Sequence, residues 1–519
     1  MGHMDAKKTM GCGRWIRLHA DDDVVVVRCR LRRGECIDFG GEEVELGADV
    51  LPGHKMAVRP VSIGGYVRKY GQVIGVATVD IRRGDWVHSH NLGLGDGLGR
   101  GVGDDVMVGG WDSGGVAEGL RFLGYDRGVR GVGTRNYIGV LTTVNCSASA
   151  ARLVRERFSD REVRSRYPGV DGVVAMTFKG GCGMAGGEPQ RLLGRVLNGM
   201  LGHPNFGGVV LLGLGCEMTN LGLLREAGGW VEGEDLVSLE IQGVGGLRRT
   251  VERAVLEVER MLPRVAALRR TEQALSGLKL ALNCGGSDGY SGVTANPALG
   301  WAADELVRAG GVAVLGETPE IYGAEHLLLR RAVSEEVAER LRGRIRWWEE
   351  YVARHGATID NNPSPGNKAG GLTTIWEKSL GAVAKGGTAP LVAVHEYAEQ
   401  VRGPGLCFMD TPGLDPVSMT GLVSGGCNVG VFTTGRGSVY GCKPAPCLKV
   451  ASHSGLYEHM SEDMDINAGT ILDGGESVEE VGRRIFEAVI SMASGERTKS
   501  ELAGVGEEEF APWILGPTL

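Results

Sequence analysis

Apolar and polar positions follow two regimes along the 519-residue chain. Up to about residue 93 the apolar positions come in short runs: Val24–Arg28, Glu43–Leu46, Lys55–Pro60, Val73–Val79 and Asp85–His90. Turn pairs such as Pro52-Gly53 and Arg83-Gly84 separate them, which predicts a small β-rich domain over 12–93. Residues 94–123 hold little but Gly, Asp, Leu and Val and read as an exposed linker.

From 124 onward continuous apolar runs alternate with helical patterns, the signature of buried parallel strands. Tyr137–Val144 leads into Asn145-Cys146-Ser147, and Gly172–Thr177 into Gly180-Gly181-Cys182. Val209–Leu214 leads into Gly215-Cys216-Glu217, and Leu278–Leu282 into Cys284-Gly285-Gly286. Four strands thus end in a cysteine beside glycine or a small polar residue. Parallel strands align their carboxyl ends on one edge, so the four thiols are expected to converge on one crevice. The fold class is α/β, with two domains of mainly parallel sheet, 124–310 and 311–519, behind the β-rich one. Asn296-Pro297 is expected to open a helix over 298–309 as its N-cap and first position.

Composition narrows the partners. A net charge of −8 leaves no basic footprint, so nucleic acid is disfavoured and an anionic ligand must meet local cations. The 11 cysteines are odd in number and scattered, with no secretory leader before them. They point to a reducing cytoplasm and to free or metal-bound thiols. No apolar run reaches membrane-span length. Met1-Gly-His-Met4 reads as a cloning scar. The 87 glycines follow no short period and signal backbone-lined loops.

Candidate chemistry sits in those loops. Within Cys284–Pro297, Cys284, Ser287, Asp288 and Ser291 bring a thiol, hydroxyls and a carboxylate to a glycine-rich turn. His88 and His90, two apart on an expected strand, share a face and suit one divalent metal; the plain alternative is a pair of edge histidines. Cys146, Cys182, Cys216 and Cys284 suit metal ligation or a pocket lining, but no CxxC spacing joins them, which disfavours an iron–sulfur cluster. Lys55, Lys378, Lys368 and Arg436 are cations in or beside glycine-rich loops, suited to clamping a carboxylate. Glu217, Asp288, Glu317, Glu320 and Glu377 are carboxylates in loops after strands or in the 362–380 stretch. Neither the Walker spacing nor a GxGxxG fingerprint is present.

These motifs carry a family resemblance across nearly the whole chain. Gly53-His-Lys-Met-Ala57, Lys69-Tyr-Gly-Gln-Val-Ile-Gly75 and Trp86-Val-His-Ser-His-Asn91 resemble the N-terminal SAF domain, a β-clip-like fold, of the altronate dehydratases. Gly133-Thr-Arg-Asn136, Asn145-Cys-Ser147, Gly215-Cys-Glu217, Cys284-Gly-Gly-Ser-Asp-Gly289, Asn362-Pro-Ser-Pro-Gly-Asn-Lys-Ala-Gly-Gly371, Thr433-Thr-Gly-Arg-Gly437 and Asp463-Met-Asp-Ile-Asn467 resemble the altronate/galactarate dehydratase body. The resemblance implies a cytoplasmic lyase that removes water from a small sugar acid with a divalent metal, iron(II) or manganese. For altronate the product would be 2-keto-3-deoxygluconate. The His-x-His-Asn element resembles the altronate branch, with a galactarate-type activity as the alternative. On this reading His88 and His90 hold the metal, and Arg436 with Lys368 grips the substrate carboxylate. His54, Lys55, Glu217 and Asp288 are the proton-transfer candidates. Cys146, Cys182, Cys284, Ser287 and Asn367 line the substrate. One departure stands out: Phe178 occupies a place where the family shows a histidine, which keeps a non-catalytic binding homologue as the rival reading. A related sulfo-lyase splits these parts between two chains, and their fusion here disfavours that chemistry. Whether the chain forms a homo-oligomer stays open.

Overall fold

A computed structural model describes residues 13–39, 42–95 and 119–516. Its N-terminal domain is built from short antiparallel strands in sheets of four, three and two. Most of the expected linker, 96–118, lies outside the described residues, and residues 121–123 belong instead to the strand Arg121–Asp126. One β expectation is corrected. The strand here is only Trp86–Val87, so His88 and His90 stand in the turn between it and the strand Leu92–Gly93, not on one strand face.

Two parallel sheets form the body. The first orders Gly172–Met176, Tyr137–Thr142, Phe206–Gly213 and Leu236–Glu240. The second has seven strands, ordered Leu391–His395, Gly405–Met409, Val312–Leu315, Lys279–Cys284, Val429–Thr434, Cys447–Ala451 and Ile466–Asn467. Helices cover both faces of such sheets, so their strands need apolar side chains in both alternations. Tyr137–Thr142, Phe206–Gly213 and Val429–Thr434 are accordingly buried at every residue.

The sheet membership corrects the expected break at 310. Lys279–Cys284 pairs in parallel with both Val312–Leu315 and Val429–Thr434, so it belongs to the C-terminal domain. The domains meet nearer the strand Thr271–Ala274, which pairs with Arg121–Asp126 in a small separate sheet. The same partition corrects the convergence of four thiols. Cys146, Cys182 and Cys216 follow strands of the first sheet, and Cys284 ends a strand of the second. The helix after Cys284 also starts earlier than expected, at Ala295 with Thr294 before it. Asn296 is a buried tie within its first turn, donating to the Gly381 carbonyl and accepting from Thr433 Oγ1.

The N-terminal domain docks on the loops of the second sheet. Tyr290 donates its hydroxyl to the Val27 carbonyl at 2.7 Å. Gly289 lies so close to the Gly53 backbone that an added Cβ would sit 1.9 Å from the Gly53 carbonyl oxygen. At the centre of this interface Glu377 is held between Lys55 Nζ at 2.8 Å and Lys69 Nζ at 2.9 Å, all three side chains essentially without exposure.

Candidate active site

In the seven-stranded sheet the strand order reverses around Lys279–Cys284. The next strand in the chain lies on one side of it and Val429–Thr434 on the other. Loops from a reversal point diverge and leave a crevice beyond the carboxyl ends of the strands. Here those loops carry Cys284, then Glu317 and Glu320, then Arg436.

The floor of the crevice is a buried network of opposite charges. Lys385 Nζ stands 2.8 Å from Cys284 Sγ and 2.6 Å from Glu317 Oε2. Lys378 Nζ stands 2.6 Å from Glu320 Oε1 and 2.7 Å from Asn362 Oδ1. Glu317 adopts a left-handed backbone, φ 67°, a strained conformation for a side-chain-bearing residue. Its own N–H donates to Thr411 Oγ1 at 2.7 Å, and its Oε2 accepts the Cys284 N–H at 3.1 Å. Burial, aided by the Glu317 carboxylate, pushes the Cys284 thiol far up, so it is a poor nucleophile. Beside this floor Asp415 opens the helix Asp415–Ser424 and reaches Gly285, where an added Cβ would lie 2.3 Å from its Oδ2. Burial, together with the Glu317 and Glu320 carboxylates, pushes Asp415 up to about 8. It is therefore a protonated carboxyl at neutral pH.

At the other end of the same loop lies Asp288. Its Oδ1 accepts from Tyr290 N–H (3.1 Å), Ser291 N–H (2.8 Å), Ser291 Oγ (2.8 Å) and Ser452 Oγ (3.0 Å). Its Oδ2 faces His453 Nε2 at 3.8 Å. Asn367 Nδ2 donates to the Ser287 carbonyl, and the buried Ser287 Oγ has no partner among the described residues. Arg436 is exposed at the rim, and its Cδ would lie 3.1 Å from a Cβ added at Gly370. An adjoining cavity of about 330 Å³ is lined by Arg28, Cys29, Tyr290, His453 and Asp473 among others. Arg28 of the lid is the cation in this lining.

The structure thus brings together Cys284, Ser287, Asp288, Asn367 and Arg436, leaves the half-buried Lys368 beside Asp360, and sets others apart. His54 and His88 form part of the docked lid, stacked at 5.2 Å. His54 accepts from Trp86 Nε1 and contacts the Ala369 carbonyl, and burial lowers it to about 4, so it is a neutral imidazole. Lys55 is tied into the buried ion triad with Glu377, a docking role in place of the proton-transfer one expected. Glu217 belongs to the other sheet and is a loop clip. Thr143 Oγ1 donates to it at 2.5 Å, as do the N–H groups of Leu214 and Gly215. Phe178, the departure from the family pattern, is a core residue meeting Phe510 edge-on at 6.2 Å. Two members of the crevice, Asp415 and Lys385, went unread in the sequence, because only the reversal of strand order brings them to Cys284.

Neither grouping of donors suits a mononuclear ion. His88 Nε2 is 2.9 Å from the Lys368 carbonyl and Nδ1 is 3.0 Å from Ser89 Oγ, while His90 leans on Trp86. Cys284, Glu317 and Glu320 do offer three donor atoms within 4.8 Å of one another. Two ammoniums already sit on those atoms and balance both carboxylates, and Glu317 Oε1 is the single unengaged donor. A divalent ion needs deprotonated, available ligands, and this set does not provide them.

A lid domain over a parallel-sheet crevice with two carboxyl groups of unlike surroundings defines an acid–base enzyme. Comparison gives the family. Residues 13–94 match the altronate/galactarate dehydratase SAF domain, 124–266 the D-galactarate dehydratase/altronate hydrolase second domain, and 275–518 the D-galactarate/altronate dehydratase C-terminal domain. The chain belongs to the altronate/galactarate dehydratase family of hydro-lyases. It is 34% identical to an altronate dehydratase of Bacillus subtilis (strain 168) over 492 residues, 94% of this chain and 96% of that one. It is 35% identical to the galactarate dehydratase (L-threo-forming) of Escherichia coli (strain K12) over 513 residues, 96% of each. A (2R)-sulfolactate sulfo-lyase subunit beta of Chromohalobacter salexigens is 30% identical over 398 residues, 76% of this chain and 97% of that one. No helix among the described residues is long and apolar enough to cross a membrane.

Proposed function

We propose that this sugar-acid dehydratase acts on an aldonate of the altronate type and forms a 2-keto-3-deoxy acid. The observation that carries the reading is the placement of Asp415 and Asp288 at opposite ends of the Cys284–Asp288 loop. A protonated carboxyl and an oriented carboxylate flank one crevice, as dehydration requires. Arg436 and Lys368 at the rim grip the substrate carboxylate. Asp288 Oδ2 takes the proton from C2, and Asp415 gives its proton to the C3 hydroxyl, which leaves as water. The enol so formed tautomerises to the 2-keto acid. Docking of the N-terminal domain over the loops excludes water.

A galactarate-type aldarate is the second reading, favoured by Arg28 in the adjoining cavity, where a second carboxylate would sit. An anaerobic screen of C5 and C6 sugar acids, reading 2-keto-3-deoxy acid formation, tests both. The expected result is turnover of altronate that D415N and D288N each lower by about 10²- to 10⁴-fold. Turnover confined to galactarate and lost in R28A would favour the second reading, and a folded protein silent on every acid would overturn both.

A further inference from the structure

The four-stranded sheet has a reversal point of its own. Its order runs outward on either side of Tyr137–Thr142, with Gly172–Met176 on one flank and Phe206–Gly213 on the other. The loops leaving these three strands carry Cys146, Cys182 and Cys216. By the same topology that makes the first crevice, their carboxyl ends open a ligand site.

Direct contacts gather the three loops onto residues 143–145. The Asn145 N–H donates to the Gly180 carbonyl at 2.8 Å. Gly181 packs so closely that an added Cβ would sit 2.5 Å from the Thr143 carbonyl oxygen. Glu217, next to Cys216, is bonded to Thr143 Oγ1. Each thiol is therefore one residue from a contact with the same three-residue segment. All three are free and exposed, as are Cys29 and Cys36 of the N-terminal domain, whereas Cys284, Cys407, Cys427, Cys442 and Cys447 of the C-terminal domain are buried as unligated cysteine usually is; Gln242 Nε2 donates to Cys216 Sγ at 3.6 Å. Gly181, Gly183 and Gly215 have positive φ, as in loops whose successive N–H groups turn inward toward an anion or an iron–sulfur cluster. The trio is not among the donor groups drawn to within 4.8 Å of one another, so it is too wide for a single ion. A cluster spreads its thiolates over separate irons and accepts that width. Because the ligands come from three strands, the missing CxxC spacing is no obstacle.

We propose that Cys146, Cys182 and Cys216 hold a [4Fe–4S] cluster with one iron left open for an oxygen ligand. The open iron would supply Lewis-acid chemistry beside the seam between the α/β domains, where Gly180 abuts Ile514 and Phe178 meets Phe510. That the oxygen comes from the sugar acid rests on the dehydratase reading; the cluster itself does not.

The test is anaerobic reconstitution of the full chain with iron and sulfide, followed by visible absorption, metal and acid-labile sulfide analysis, and electron paramagnetic resonance of the reduced protein. About four irons and about four sulfides per chain are expected. Each of C146S, C182S and C216S should lose most of the colour while keeping the circular dichroism of the parent, and C36S should keep both. Iron without sulfide, no uptake, or colour that survives the triple serine variant would overturn the proposal. Adding altronate should shift the resonance of the reduced cluster. An unshifted resonance with turnover intact would overturn the open iron alone. A cluster present with no turnover of any acid would count against the dehydratase reading and leave the cluster standing.

Discussion

Lys55 of the N-terminal domain and Glu377 of the C-terminal domain form an ion pair at 2.8 Å with no exposure on either side chain. Burial alone would raise Glu377, but the Lys55 and Lys69 ammoniums hold it well below the usual carboxylate range. A carboxylate depressed in the folded state contributes stability above its unfolded pKa of about 4.3, and that stability is lost as pH falls through the folded value. Docking should therefore persist into mild acid. Glu377 is the one carboxylate between two buried ammoniums, so removing it leaves both without a counter-charge; breaking a buried pair in this way costs about 3–5 kcal/mol. E377Q should open the lid, shown by a separate low-temperature unfolding transition and by lost activity, whereas K55M, which leaves Glu377 paired with Lys69, should cost less. A single unchanged transition would place the docking energy elsewhere.

Asp415 must be protonated to deliver a proton to the leaving hydroxyl. With its carboxyl pushed up to about 8, chiefly by burial, the acid form is present below that pH and disappears above it. The rate constant kcat should hold through neutrality and fall as pH rises past about 8. D415N should lower kcat by about 10²- to 10⁴-fold, the range for losing one positioned acid, with little change in KM. A variant that retains the alkaline limb at the same pH would move the proton donor to another group.

Much of this arrangement was legible in the chain before any coordinates. Strand existence came from continuous apolar runs, since Tyr137–Thr142 and Gly172–Met176 are buried at every position and fall where the pattern predicts. The helix start was less legible: Asn296, read as an N-cap, lies inside the first turn of the helix Ala295–Arg308. What the pattern could not carry was sheet order. Lys279–Cys284 looks like the fourth member of a cysteine-tipped series, yet its hydrogen bonds go to strands that follow it by some thirty and some one hundred and fifty residues. Asp415 and Lys385 share no local motif with Cys284, and Glu377 reads as one more loop carboxylate until two lysines from another domain reach it. Non-local pairing and lid docking are where local spacing stops being informative.

Arg436 and Lys368 differ from the buried lysines in being partly or wholly accessible, so they are available to an incoming anion. A hydrogen bond to a charged group contributes about 1.5–3 kcal/mol. R436A should raise KM by roughly 10- to 100-fold on that basis, with kcat less affected, and R436K should recover only part because a single ammonium lacks the guanidinium fork. Steady-state kinetics on the accepted sugar acid separates the two parameters. An effect confined to kcat would mean that the guanidinium acts in the transition state and not in binding.

Phe178 decides between a lost catalytic group and a packing residue. Its ring is buried in the core shared by the two α/β domains, against Phe510 and near Met184 and Leu515. F178A should therefore destabilise by about 3–5 kcal/mol through the cavity it leaves. F178H should also lower the melting temperature, since an imidazole there gives up apolar contact and has no charged partner. Neither variant should gain a new pH limb or a new substrate. If F178H instead raised turnover several-fold without loss of stability, the position would be catalytic, and the packing role argued from Phe510 would fail.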